Sequence, residues 1–288
     1  MTRLIRRECV VHDRGRRNRG VLLDASMRIV KSLVASLLVF GLSLTAAGSA
    51  FADVIPVDPG KKVSAGKPIS GTGQNLPTIG AKTTWNIGPE PASLINTYYS
   101  SGAILRDQRE IATEARTWTT KWVREKCNGI KKSQVRSCKV AAVFDIDDTL
   151  LSSYPTLSSN SPAFTFSQAA FDAAATQCTA TVIAPVKNLY LSLQRMGMTM
   201  VLLTGRNESL RAGTENCLRQ AGITDWETLI MRAPGSTDPA DVYKFKARAA
   251  LEKTGLRIGP SVGDQISDMS LGALEHGFLI PNPMYLIP

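Results

Sequence analysis

Apolar residues gather in short runs along the second half of the chain, at 140–144, 198–203, 228–231, 258–262 and 277–280. Runs of this length, bounded by polar or glycine positions, predict buried strands. Between them lie stretches patterned as helices, over 182–196, 208–221 and 242–254. Gly222 and Gly255 stand where two of those helices would stop. Strands alternating with helices predict an α/β domain: a three-layer sandwich whose parallel, Rossmann-like sheet is covered by helices on both faces. Upstream, from about Ser93 to Lys126, Ile95, Tyr98 and Tyr99 could share a helix face, as could Ile111, Ala115, Trp118 and Trp122. These predict an N-terminal helical extension packed on the same domain, its aromatic stripe serving as core. Residues 152–180, rich in Ser, Pro, Ala and Phe, interrupt the alternation. An insert there suits a small cap or lid.

The first ninety residues follow no such pattern. Residues 53–91 are rich in Gly, Pro, Ser, Thr and Lys and read as a linker ahead of a domain over 92–288. Residues 27–52 combine a basic start, an apolar stretch from Leu33 to Leu44 and the small-residue pattern Ala50-Phe51-Ala52. That is the form of a signal peptide cleaved before Asp53, and it implies a secreted or periplasmic protein with no membrane association once the signal is removed. A membrane anchor is the alternative, but no positive stop-transfer flank follows. Arg-rich residues 1–26 are read as a mis-called start, with translation beginning at Met27, or as an extended leader. A twin-arginine signal fits Arg16-Arg17 poorly.

Composition, at 43% hydrophobic and 20% charged, is that of a globular protein. The net charge of +10 points toward an anionic partner, but residues 1–52 hold nine lysines and arginines against three acids. The remainder carries only +4, without a basic stripe interleaved with aromatics, which argues against a nucleic-acid partner. Beyond the leader four cysteines remain. An even number in an exported chain favours disulfides, and Cys127–Cys138 with Cys178–Cys217 is the preferred pairing, the first closing a short polar loop. Buried free thiols are the alternative, and no Cys-x-x-Cys spacing suggests zinc.

Ligands of a parallel α/β sheet bind at the carboxyl ends of its strands. After the run Val140–Phe144 come Asp145, Asp147, Asp148 and Thr149. Carboxylates at the end of a core strand are costly unless paired or metal-bound. A nucleophilic carboxylate, a second for proton transfer and a bound cation would use them; a helix cap is the plainer reading. Thr204-Gly205-Arg206 follows Leu203 and reads as a phosphate cradle at a helix start, or as an ordinary N-cap turn. Lys244 could neutralise a phosphoryl group, with Lys246 as its rival and a solvated helix face as the ordinary reading. Asp264 and Asp268, after Val262, could supply a metal ligand and its support, or a helix cap with a first-turn acid.

Taken together, the order carboxylates, Thr, Lys, carboxylates resembles the haloacid dehalogenase superfamily of phosphotransferases. Phe144-Asp145-Ile146-Asp147-Asp148-Thr149-Leu150-Leu151, Tyr243-Lys244 with Arg248, Gly263-Asp264-Gln265 with Ser267-Asp268, and Pro281-Asn282-Pro283-Met284-Tyr285 look like its acid-phosphatase branch, which includes plant vegetative storage proteins. The resemblance spans roughly 95–288. It implies a Mg²⁺-dependent phosphomonoesterase acting on a small-molecule phosphate ester. Asp145 would be the nucleophile and Asp147 the acid and base. Thr204, Gly205, Lys244 and Arg206 would hold the phosphate or the substrate. Asp145, Asp147 through its carbonyl, Asp264 and Asp268 would hold the metal or support it. Asp148 and Phe245, where the family often has Glu and Ser, are departures away from those roles. A phosphotransferase and a non-catalytic storage protein of the same fold are the alternatives.

Overall fold

A computed structural model describes residues 67–71 and 89–287. The leader, the signal-peptide segment and most of the 53–91 stretch lie outside the described residues.

Five strands fall where the apolar runs place them: β2 (Val140–Phe144), β5 (Thr199–Asn207), β6 (Thr228–Arg232), β7 (Arg257–Gly263) and β8 (His276–Leu279). A sixth, β1 (Ile69–Ser70), comes from the Gly/Pro-rich stretch and pairs with β8 at one edge. The sheet is parallel throughout, in the order β1-β8-β7-β2-β5-β6.

Central β2 is buried along its whole length. Because side chains alternate across a strand, Val140, Ala142 and Phe144 meet α2 (Ala103–Lys126), α5 (Ala184–Arg195) and α6 (Arg211–Gln220). Ala141 and Val143 face the other way, toward α7 (Ala240–Lys253) and the segment after β7. A strand covered on both faces favours apolar residues at every position, which is why the central run 140–144 is continuous rather than alternating. Gly222 and Gly255 take positive φ (69° and 87°) just past α6 and α7, the left-handed turn that glycine ends a helix with at least cost.

The helical extension consists of α1 (Pro89–Ser100) and α2. Ile111, Ala115 and Trp122 of α2 are buried in the main core, and Trp118 stacks on Trp122 with ring centroids 5.9 Å apart. The packing is close: a Cβ added at Gly259 of β7 would lie 2.6 Å from the Trp122 ring.

The insert is a small cap. β3 (Leu151–Ser152) and β4 (Thr181–Val182) form an antiparallel pair around α3 (Tyr154–Ser159) and α4 (Gln168–Gln177). One disulfide, Cys178–Cys217, ties the end of α4 to α6; the other joins Cys127 to Cys138. Among the described residues no helix is long and apolar enough to cross a membrane.

Candidate active site

Strand order reverses between β2 and β7. From β2 the chain builds outward through β5 and β6, then returns to β7 and β8 on the other side. Loops leaving β2 and β7 therefore diverge and open a crevice at their carboxyl ends. Asp145 follows β2 and Asp264 follows β7, so the switch point brings together carboxylates more than a hundred positions apart.

Asp145, Asp264 and Asp268 are all buried. Each offers a carboxylate oxygen, and these oxygens lie within 4.8 Å of one another. Lys244, reaching in from α7, donates to Asp145 Oδ1 at 2.8 Å and to Asp268 Oδ1. Burial opposes the lysine's charge, but the two carboxylates outweigh it and raise its pKa. Burial pushes the Asp145 carboxyl up to about 8, with Lys244 pulling the other way and Asp268 and Asp147 adding to the rise. Asp264 is raised well above the carboxylate range by burial and by Asp268 and Asp145. One ammonium does not balance three carboxylates. An all-oxygen donor set with excess negative charge fits a hard divalent cation of the Mg²⁺ type.

Asp264 is held by three side chains: Thr149 Oγ1 donates at 3.2 Å, Gln265 Nε2 at 2.6 Å and Asn282 Nδ2 at 2.7 Å. Asp268 accepts from the Gln265 amide at 2.9 Å. Its own carbonyl accepts from Arg248 Nη1 at 2.7 Å and Ser261 Oγ at 2.7 Å. Arg248 is fully buried and spends its other donors on the carbonyls of Ser270 and Gly272.

Asp147 does not join that cluster through its carboxylate. Arg206 Nε and Nη2 fork onto it at 3.0 Å and 2.7 Å. The guanidinium is buried, donates through Nη1 to Thr214 Oγ1 at 3.1 Å, and lies 5.7 Å from the centroid of the Phe171 ring of the cap. Burial opposes its charge, yet Asp147 more than offsets this and raises the Arg206 pKa.

Thr204, Gly205 and Arg206 occupy a break in the β5–β6 ladder, which runs to Leu203↔Ile230 and resumes at Asn207↔Arg232. Such breaks re-aim the backbone. Thr204 Oγ1 accepts from the Arg206 amide at 3.2 Å, which leaves its proton for another acceptor. Gly205 lines the cleft, and a Cβ there would meet nothing within 4 Å. Lys246 is exposed and pairs with Asp238 at 2.9 Å, so of the two lysines only Lys244 enters the site.

The cleft above these groups has a volume of about 420 Å³. Phe166 and Phe171 of the cap segment and Leu286 and Ile287 near the chain end help to wall it.

Residues 83–288 match the family described as HAD superfamily, subfamily IIIB (acid phosphatase). The chain belongs to this family. Acid phosphatase 1 of Solanum lycopersicum is 37% identical over 150 residues, or 50% of this chain and 58% of that protein. Vegetative storage protein 2 of Arabidopsis thaliana is 31% identical over 152 residues, or 51% and 56%. The match therefore spans little more than half the length of these curated relatives. The class C acid phosphatase from Bacillus anthracis shares the fold, with a TM-score of 0.55 at 17% identity over 68% of this chain and 85% of that one.

Several residues that build this HAD-type site have no role that the sequence motifs alone suggest. Asp148 is buried with positive φ (51°) and accepts from Ser153 N at 2.9 Å, from Ser153 Oγ and from Tyr285 OH at 2.7 Å. Burial pushes its carboxyl up to about 6, with those hydrogen bonds working against the rise. Asn282 and Tyr285 sit in a motif the sequence singles out, but only the path of the chain after β8 shows what they touch. A polar residue inside an otherwise apolar tail was the available signal.

Proposed function

We propose that the protein is an exported, Mg²⁺-dependent acid phosphatase that hydrolyses small phosphate monoesters through an aspartyl-phosphate. The observation that carries this reading is the buried Asp145–Lys244–Asp268 arrangement beside Asp264, with a second carboxylate, Asp147, held at the same crevice.

Asp145 Oδ1 is engaged by Lys244, while Oδ2 takes no hydrogen bond among the described residues and is the atom available to attack phosphorus. The P–O bond to the alcohol breaks as the Asp145–phosphorus bond forms. Asp147 supplies the proton to the leaving oxygen, then takes one from the water that cleaves the acyl phosphate. Thr204 Oγ1 and the Gly205 amide hold phosphoryl oxygens, and Lys244 offsets charge on the transferring group. Asp145, Asp264 and the Asp147 carbonyl would hold the cation, with Asp268 supporting or completing the set. The bound ion would supply electrostatic stabilisation of the phosphoryl oxygens. The paired cysteines support an exported protein.

Relatives named storage proteins keep a non-catalytic role in view, but intact Asp145, Asp147, Lys244 and Asp264 favour turnover. The test is hydrolysis of p-nitrophenyl phosphate from pH 4 to 8, with Mg²⁺ or EDTA, by the wild type and Asp145→Asn. Activity that EDTA removes and the substitution abolishes supports the proposal. Activity that survives Asp145→Asn overturns the mechanism. No activity in a folded, disulfide-intact sample overturns the phosphatase reading for this ester class.

A further inference from the structure

Among the described residues three cations line the cleft: Arg206, Arg232 and Lys244. Two are committed to carboxylates, Arg206 to Asp147 and Lys244 to Asp145 and Asp268. Among the described residues no carboxylate pairs with Arg232.

Arg232 is nonetheless held in place. Its Nη1 donates to the Asp238 carbonyl at 2.7 Å. Its guanidinium carbon lies 4.9 Å from the centroid of the Tyr243 ring, a cation–π contact that orients the plane without consuming its N–H donors. Tyr243 is in turn fixed by its hydroxyl, which donates to the Thr204 carbonyl at 3.2 Å. A half-buried arginine with several donors unspent on an oriented fork is built to receive a planar or tetrahedral oxyanion.

Its place along the sheet says which part of a ligand it meets. Ile230 pairs with Leu203, immediately before the Thr204–Gly205 turn, and Arg232 pairs with Asn207, beyond it. Arg232 thus stands past the phosphoryl cradle in the strand direction, on the cleft wall.

Building on the phosphatase reading, we infer that Arg232 is a specificity-determining residue that binds a second anionic group, a carboxylate or a further phosphate, on the alcohol part of the substrate. The preferred substrates are then phosphomonoesters of acidic or multiply phosphorylated alcohols rather than of neutral ones.

The test compares kcat/KM for 4-carboxyphenyl phosphate and hydroquinone bisphosphate against the neutral 4-carbamoylphenyl phosphate, in the wild type, Arg232→Gln and Arg232→Lys. A charge-assisted hydrogen bond to arginine predicts that the charged-to-neutral ratio falls about tenfold or more in Arg232→Gln. The loss should lie chiefly in KM, with partial recovery in Arg232→Lys. The carboxylate and phosphate arms show which oxyanion the fork prefers. If Arg232 merely braces the loop through Asp238, all three esters change together and the ratio stays at the wild-type value, which overturns the inference. Should no ester turn over, the phosphatase reading fails separately. Equilibrium binding of 4-carboxybenzylphosphonate against benzylphosphonate then decides the subsite: tighter binding of the carboxylate that Arg232→Gln abolishes supports it, and equal affinities overturn it.

Discussion

Arg206 grips both carboxylate oxygens of Asp147, through Nε to Oδ2 at 3.0 Å and Nη2 to Oδ1 at 2.7 Å. The sequence offers Arg206 as a substrate contact. In the fold it is buried, braced by Thr214 and by the Phe171 ring of the cap, and its fork is filled. We propose that it also fixes where the proposed proton-transfer group points, and couples that group to the insert.

Loss of this brace should uncouple Asp147 from the cap. Arg206→Lys keeps charge but not the two-pronged geometry. We expect it to lower kcat about tenfold or more, since general acid–base catalysis contributes about 10²–10⁴-fold when well placed. Arg206→Ala should cost more, because it leaves Asp147 without its partner. Steady-state kinetics on a neutral aryl phosphate check this. Wild-type kcat in Arg206→Ala would contradict the positioning role.

Gly263 abuts Asp268 so closely that any side chain displaces it. A Cβ added there would lie 2.1 Å from Asp268 Oδ2 and 2.2 Å from its Cγ. Gly263→Ala must push the Asp268 carboxylate off Lys244 and off the Gln265 amide. Overpacking of this kind destabilises by about 1–3 kcal/mol, and weaker Mg²⁺ binding should accompany it. Urea unfolding and metal titration on the same variant read both effects.

The chain end is tied to the site by one phenol. Tyr285 OH donates to Asp148 Oδ2 at 2.7 Å, with Asp148 buried and Tyr285 half-buried at the cleft. Tyr285→Phe removes a hydrogen bond to a carboxyl that water reaches poorly. The expected cost is about 1.5–3 kcal/mol, read by equilibrium unfolding. A smaller cost in the Asp148→Asn background than in the wild type would show that the two residues act as a pair.

Metal should stabilise the protein more at higher pH. In the unfolded chain Asp145 loses its proton near 3.8; in the metal-free folded protein it keeps it up to about 8. Between those values the folded state binds more protons, so stability falls as pH rises through the window. Asp264 acts in the same direction. A divalent cation compensates the carboxylates once they ionise. Thermal unfolding with Mg²⁺ against EDTA should therefore show a larger gap at pH 8 than at pH 5. A gap that is absent at pH 8 would argue against a cation among these aspartates.

Much of the molecule is legible in its residue pattern. Continuous apolar runs at 140–144 and 200–203 mark strands covered on both faces, whereas 228–231, at the sheet edge, buries only alternate positions. The clusters Asp145–Thr149, Thr204–Arg206 and Asp264–Asp268 stand out because each follows such a run, where charge is costly without a purpose. The insert is marked by the break in alternation it causes. Short-range chemistry and periodicity suffice for all of these.

The partnerships required the tertiary fold. Which of Lys244 and Lys246 enters the crevice depends on the rotation of α7 against the sheet, and adjacent helical positions two apart point to different surroundings. That Arg206 faces Asp147 rather than solvent follows from the break in the β5–β6 ladder and the cap packed over it. Tyr285 meets Asp148 across 137 positions because the tail doubles back after β8. Arg232 is placed at the cleft wall by the strand order. Local sequence determines which residues are too polar for their neighbours; it does not carry the register, crossover order and packing angles that decide which of them meet, because those are set by contacts among segments far apart in the chain.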